Sequence, residues 1–343
     1  MSINVYDTHT LLGVIYKLPP VKTFWLDLAF PRVQTFDTEF IDFDVVSRGR
    51  RLAPFVAPTA QGKPMLQEGF NTKRFKPAYV KPKDSVDPRR VFKRMPGEGF
   101  MGTMSPQQRR DAIVADILTQ HMDMHKRRQE WMAAQAIIGD SVTVAGDNYP
   151  TTVISFGRTA NHTVTLTGGA CWGQSGVSIT NLLETWMSRI QLDSGYAPTM
   201  LVLGVDAWNV FRLDAGVIAQ LNTLARGSVG NLQTGLGDGE LVQYKGTLGA
   251  SLQVWVYNDI YEDDSGVNQP MMDPKKIVLL NPAGVEGVRC FGAILDAQAG
   301  YMATDVWPKN FFQDDPSAEF VMTQSAPLMV PSRPDAVLCA SVV

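Results

Sequence analysis

The pattern of apolar and polar positions is most regular between Ser105 and Gly139. Ser105-Pro106-Gln107-Gln108 sets a Ser cap, a Pro at the first helical position and a Gln at the capping-box position, which predicts a helix start. Gly139 supplies the stop. A helix over about 106–138 is about 50 Å long at 1.5 Å per residue. Ile117, Met124, Trp131 and Ile138 recur every seven residues along it, among Arg109, Arg110, Lys126, Arg127 and Arg128. So narrow an apolar seam predicts a strut lying on a sheet, because a helix buried on all sides is apolar all round.

Weaker patterns place the other elements. Residues 1–35 read as an extended arm with a short apolar helix over Thr8–Leu18, stopped by Pro19-Pro20 and followed by the apolar patch Phe24, Trp25, Leu28 and Phe30. Gln34–Val46 alternates and predicts one strand with mixed faces. Ser141–Phe156 predicts a hairpin around Gly146-Asp147-Asn148, and Asn161–Gly176 a Gly/Thr-rich connection. Ile179–Leu192 predicts an amphipathic helix capped by Ser178 or Thr180 and ended near Gly195. From Ala197 strands and helices alternate: strands Met200–Val205, Leu252–Tyr257 and Lys276–Leu280, helices Asp206–Leu213 and Val217–Ala225, and a flexible loop Gly227–Gly239. This reads as a compact α/β unit. Strands in the tail, Phe320–Val343, are expected to return to the long helix.

Between Val46 and the long helix the pattern breaks down, and there charge changes the picture. Ser47–Arg94 holds thirteen Lys/Arg against three acids (Glu68, Asp84, Asp87), a local net of +10, while the remaining eighteen basic and thirty-one acidic residues give −13. A nearly neutral total of −3 therefore hides a basic ribbon on an acidic body. Such a ribbon needs an anionic partner: nucleic acid, or the acidic body of another copy of the chain. Pro54, Pro58, Pro64, Pro77, Pro82, Pro88 and Pro96 make it a poor core. Short β-like pieces at Leu52–Ala57, Phe75–Val80 and Arg90–Met95 predict a long, exposed hairpin. Phe55, Phe70, Phe75, Tyr79 and Phe92 are costly to leave in water, which argues against a disordered linker.

At 343 residues, 45% hydrophobic and 19% charged, the chain has the composition of a folded protein with room for two compact units. No apolar run approaches the roughly 20 residues that span a bilayer, and no signal core is visible, so synthesis in a cytoplasm is expected. Cys171, Cys290 and Cys339 are far apart and read as small buried apolar residues, with one disulfide left open.

Enzyme motifs fail one by one. His121 and His125 share a helix face, but Met122 stands where a zinc metalloprotease needs Glu, so they read as polar residues on a solvated or interface face. Gly235-Leu236-Gly237-Asp238-Gly239 lacks the Lys-Ser/Thr of a phosphate loop. Neither Ser175 nor Ser228 sits in a GxSxG, and Glu262-Asp263-Asp264 begins no EF-hand. No catalytic, cofactor-binding or metal-binding residue is assigned.

Specific strings then carry a resemblance. Pro77-Ala78-Tyr79-Val80-Lys81-Pro82-Lys83, with Arg94-Met95-Pro96 downstream, resembles the extended loop of the lambda-type major head proteins, the E family of phage capsid proteins. Trp307-Pro308-Lys309-Asn310 and the tail from Asp315 to Met329 (DPSAEFVMTQSAPLM) resemble the C-terminal signature of that family. The resemblance implies an α+β fold of the Hong Kong ninety-seven type. Its N-terminal arm would be 1–45, its E-loop 46–95, its P-domain 96–180 with 295–343, and its axial A-domain 181–294. It implies a major capsid protein that self-assembles through hexamers and pentamers into an icosahedral head of a tailed double-stranded DNA phage. It also implies a virion location after assembly in host cytoplasm. Implied partners are a separate scaffolding protein, the portal, a decoration protein at three-fold sites, and packaged DNA through weak non-specific contact.

Arg48, Arg50, Arg51, Phe55, Phe70, Lys73, Arg74, Phe75, Tyr79, Arg89, Arg90 and Arg94 are expected to touch the adjacent subunit. Single surface ion pairs contribute roughly 0–1 kcal/mol each. The aromatics therefore supply most of the energy, and the charges set register and partner. Lys63, Lys73, Lys76 and Asn71 lie on the ribbon, but no Lys–Asn crosslink is expected. An encapsulin-like cargo shell and a nucleic-acid-binding protein that uses the ribbon are the alternatives.

Overall fold

The computed structural model describes residues 23–38, 40–46, 52, 53, 55, 56, 58, 59, 61, 70–93, 104–146, 149–224, 242–249, 251–263, 265–315 and 318–343. The expected arm helix Thr8–Leu18 and the loop Gly227–Gly239 lie outside them.

At the centre is a six-stranded sheet in the order Thr163–Thr165, Val337–Ser341, Lys276–Leu280, Met200–Leu203, Leu252–Tyr257 and Val242–Leu248. Side chains alternate across a strand. Met200, Val202, Val278, Leu280, Val337 and Cys339 therefore face one core, shared with the long helix. Leu201, Leu203, Ile277, Leu279, Leu338 and Ala340 face a second core, built with the helix Ile179–Ser194 and the helix Val205–Phe211. The sheet is a wall common to both cores. The expected P-domain and A-domain ranges share it, since Thr163–Thr165 and Val337–Ser341 come from the first range and the other four strands from the second. The tail strands Ala318–Gln324, Pro327–Val330 and Val337–Ser341 all pack against the long helix, as expected, and Val337–Ser341 also enters the central sheet.

The long helix is Pro106–Gly139. Ser105 Oγ accepts the Gln108 N–H at 3.2 Å and Gln108 Oε1 accepts the Ser105 N–H at 2.8 Å, so the capping box forms. Its first half packs Ile113, Val114, Ile117 and Leu118 against Val86 and Val321. Its last turns place Met132, Ala133, Ala134, Ala136, Ile137 and Ile138 in the main core. The expected seam is only partly the buried line: Met124 is half-exposed and Trp131 partly buried. A straight helix drifts about 20° per heptad, so a seven-residue repeat cannot stay on one contact line over three heptads. At the C-terminal end the Arg158 guanidinium, itself buried, donates to the carbonyls of Ala136, Ile137 and Ile138. It thereby satisfies orphan acceptors of the last turn.

Three further expectations change. The single strand Gln34–Val46 is two, Arg32–Thr35 and Ile41–Val46, which join different sheets. Leu52–Ala57 carries no strand at its described positions. Arg90–Met95 is not a strand at its start, because Arg90 and Val91 end the helix Pro88–Val91. Asp87 caps that helix by accepting the Arg89 N–H at 2.8 Å, and Pro88 sits at its first position. The hairpin Ser141–Gly146 with Tyr149–Ser155 and the helix Ile179–Ser194, capped by Ser178, match the sequence reading. The three cysteines are free.

Candidate subunit-contact surface

The ribbon leaves the body through an antiparallel pair, Ile41–Val46 with Phe70–Phe75, in the register Ile41↔Phe75 to Val46↔Phe70. Phe43 and Phe75 stack with ring centroids 5.5 Å apart, and Phe43 also meets the buried Phe156 at 6.0 Å. On the exposed face Arg74 forks onto Asp42, Nε to Oδ1 at 2.7 Å and Nη2 to Oδ2 at 2.9 Å. That pairing holds the Asp42 carboxyl below its ordinary range. Further out, Leu52 and Phe55 are almost fully exposed.

The returning limb is fastened to the chain's own body. Pro77 is buried against Gly292, where an added Cβ would come within 2.7 Å of the Pro77 ring. The Tyr79 hydroxyl donates to the Ala293 carbonyl and accepts the Leu295 N–H at 3.0 Å. Val80 bridges Ser325, and Lys83–Val86 pairs with Ala318–Gln324. The Lys83 ammonium lies 4.0 Å from the centre of the Phe320 ring. After Asp87 the helix Pro88–Val91 rests Val91 on the long helix and exposes Arg89 and Arg90, and Phe92 beyond it is exposed as well.

The twelve sequence-assigned residues thus separate. Phe55, Arg89 and Arg90 face solvent. Arg74, Phe75 and Tyr79, assigned to a neighbour, engage their own chain, because the strand register and the Ala293 loop bring partners to them. Phe70 and Lys73 stand on the strand Phe70–Phe75. Arg48, Arg50, Arg51 and Arg94 lie outside the described residues.

Sequence reasoning missed a polar joint inside the long helix. His121 and His125 are buried, and so correct the expectation of a solvated or interface face. His121 Nε2 meets Asp84 Oδ2 at 2.9 Å, and His125 Nε2 meets the Thr323 hydroxyl at 2.9 Å. Burial, with His121 nearby, pushes the His125 imidazole down to about 4. Further along the same helix, Glu130 is also buried and accepts three backbone N–H groups, from Phe24, Trp25 and Leu26. Four-residue spacing and the Pro-ribbon downstream of Ile41 were visible in sequence, but the partners lie at least 37 residues away. Among the described residues no group of three His, Cys, Asp or Glu is placed to hold a metal ion, and no helix is long and apolar enough to cross a membrane.

Comparison with known proteins agrees with this architecture. The family described as Phage major capsid protein E matches residues 7–342. The P21 prophage-derived major head protein of Escherichia coli O6:H1 is 30% identical over 338 residues, covering 97% of this chain and 98% of that protein. The major capsid protein of Escherichia phage N15 is 30% identical over 339 residues with the same coverage. Among solved structures, a protein described as a capsid protein of an E. coli CFT073 prophage superposes with a TM-score of 0.73 at 22% identity, covering 98% of this chain and 99% of that one. The fold is α+β, of the Hong Kong ninety-seven capsid type.

Proposed function

This chain belongs to the phage major capsid protein E family, and from that premise we propose that it builds the icosahedral head of a tailed double-stranded DNA phage through hexamers and pentamers. The observation that carries the reading is the family match over residues 7–342 together with near-complete mutual coverage with phage and prophage head proteins. A shell subunit needs contact surface and no reactive site, and the family is a structural one. The encapsulin-like alternative has less support, because the 30% identical relatives carry phage and prophage names.

The ribbon serves as the E-loop (46–95). Residues 1–45 serve as the arm, 96–180 with 295–343 as the P-domain and 181–294 as the A-domain, the common sheet forming their junction. The exposed Phe55, Arg89 and Arg90 lie across the acidic body of the adjacent subunit. A net of +10 facing −13 supports that partner over DNA, which the body would repel. A scaffolding protein guides assembly in host cytoplasm, a portal occupies one vertex, a decoration protein binds three-fold sites, and packaged DNA makes weak contact with the inner wall of the virion.

The test is negative-stain microscopy of the full chain, alone and with a scaffolding protein, beside the double variant Arg89→Glu, Arg90→Glu. Closed shells or capsomers from the parent, lost in the variant, are expected. A small monodisperse species under both conditions, shifting duplex DNA at low salt, overturns the shell and supports the nucleic-acid alternative. Shells from both chains leave the capsid reading intact and remove the ribbon charges from it.

A further inference from the structure

The helix Trp25–Ala29 has five residues, too few to be stable alone, yet Trp25, Leu26, Ala29 and Phe30 are completely buried. Its Ncap position is held by Phe24, whose side chain caps nothing. The orphan donors of its first turn go instead to a carboxylate on the long helix. Glu130 Oε1 accepts the N–H groups of Phe24 (3.1 Å) and Trp25 (2.8 Å), and Oε2 accepts that of Leu26 (2.9 Å). Tyr257 Oη donates to the same Oε1 at 3.4 Å.

The other end is gripped in the opposite sense. Arg289 donates to the Phe30 carbonyl at 2.7 Å and the Leu26 carbonyl at 3.0 Å, and pairs with Asp27 at 2.9 Å. The Gly287 N–H donates to Ala29 O at 3.0 Å. Any Cβ at Gly287 would lie 2.3 Å from that oxygen and 2.5 Å from the Phe30 ring, so only glycine lets the segment seat. An anion thus stands at the positive end of the little helix and a cation at its negative end, both from distant parts of the chain.

Beyond the plug, Arg32–Thr35 is an edge strand that, among the described residues, pairs only with Val288–Phe291, and it is exposed throughout. Residues 23–35 can therefore leave by giving up one edge pairing, that with Val288–Phe291, while the pair between Val288–Phe291 and Pro327–Val330 stays intact.

We propose that residues 23–30 are a separable plug, clamped at its two ends by Glu130 and Arg289, whose release is the first opening of the body and frees the root of residues 1–22. Freeing the thirteen residues 23–35 lengthens the arm's reach by about 40 Å at an extended 3.3 Å per residue. The device stands on packing within one subunit and does not depend on the capsid reading.

Amide hydrogen exchange on the unassembled full chain tests it. In Glu130→Ala the amides of Trp25, Leu26, Leu28 and Phe30 should exchange at least tenfold faster, while those of Val278, Leu279 and Leu338 keep parent rates. Parent rates at the plug, or equal acceleration at both sets, overturns the proposal. Should that variant fail to fold, the parent chain in low denaturant decides. Plug amides opening at a lower free energy than the sheet amides support a separable plug, and opening only together with them overturns it.

Discussion

The ribbon and the central sheet are built on opposite principles. Every interior strand of the sheet has a core on each face, with Leu279 and Leu201 on one side and Val278 and Val202 on the other, all without exposed surface. The ribbon has a fastened root and a fastened return, and between and beyond them it presents Leu52, Phe55, Arg89, Arg90 and Phe92 to solvent. A side chain inside the sheet stabilises the subunit that owns it. An exposed aromatic on a basic ribbon contributes little until another surface covers it. Subunit stability and shell assembly should therefore respond to different residues.

The largest loss of subunit stability is expected in the sheet. Leu279→Ala should cost about 2–5 kcal/mol by removing buried methyl groups and leaving a cavity. Denaturant unfolding of the unassembled chain measures this, and a cost under about 1 kcal/mol would mean the wall is not the core it appears in cross-section.

The polar joint comes next. An unfolded histidine takes up its proton at 6.5, whereas buried His125 resists until about 4. The unfolded chain therefore binds more protons in that window, and the folded chain loses stability as pH falls from 6.5 toward 4. At ~1.4 kcal/mol per tenfold change in proton affinity the loss is roughly 3 kcal/mol. His125→Gln, which can still bond Thr323, should flatten the difference in stability between pH 7 and pH 4. An unchanged slope would show that His125 is solvated in the folded chain.

Phe55→Ser should leave subunit stability within about 0.5 kcal/mol, as exposed positions generally do, and reduce the yield of shells. Loss of stability without loss of shells would reverse the comparison between ribbon and sheet.

What could be read in advance followed how local each signal is. The long helix announced itself through Ser105-Pro106 and Gln108, because a capping box closes within four residues. The helix after Asp87 carried the same kind of signal in Asp87-Pro88, although the extended look of the ribbon obscured it. The strands Met200–Leu203 and Lys276–Leu280 stood out as apolar runs buried on both faces. The joint was hidden because periodicity assigns polar residues to solvent. Burial of His121, His125 and Glu130 depends on Asp84, Thr323 and the amides of Phe24–Leu26, which only the tertiary fold brings to them. The same holds for Tyr79, whose hydroxyl partners lie more than 200 residues downstream.

The smallest effect is expected at the ribbon's root, where an ion pair and a ring stack sit on the same two strands. Arg74 and Asp42 have ideal fork geometry, but their side chains are 68% and 44% exposed. Water and salt screen such a pair over a Debye length of about 8 Å at physiological ionic strength. Phe43, by contrast, lies between Phe75 and the buried Phe156, so its removal uncovers apolar surface. Arg74→Ala should leave the unfolding midpoint unmoved in physiological salt, while Phe43→Ala lowers it and speeds amide exchange along Ile41–Val46. If Arg74→Ala moved the midpoint as far as Phe43→Ala, charge would hold the ribbon to the body. Its exposed arginines could then no longer be treated as reserved for a second subunit.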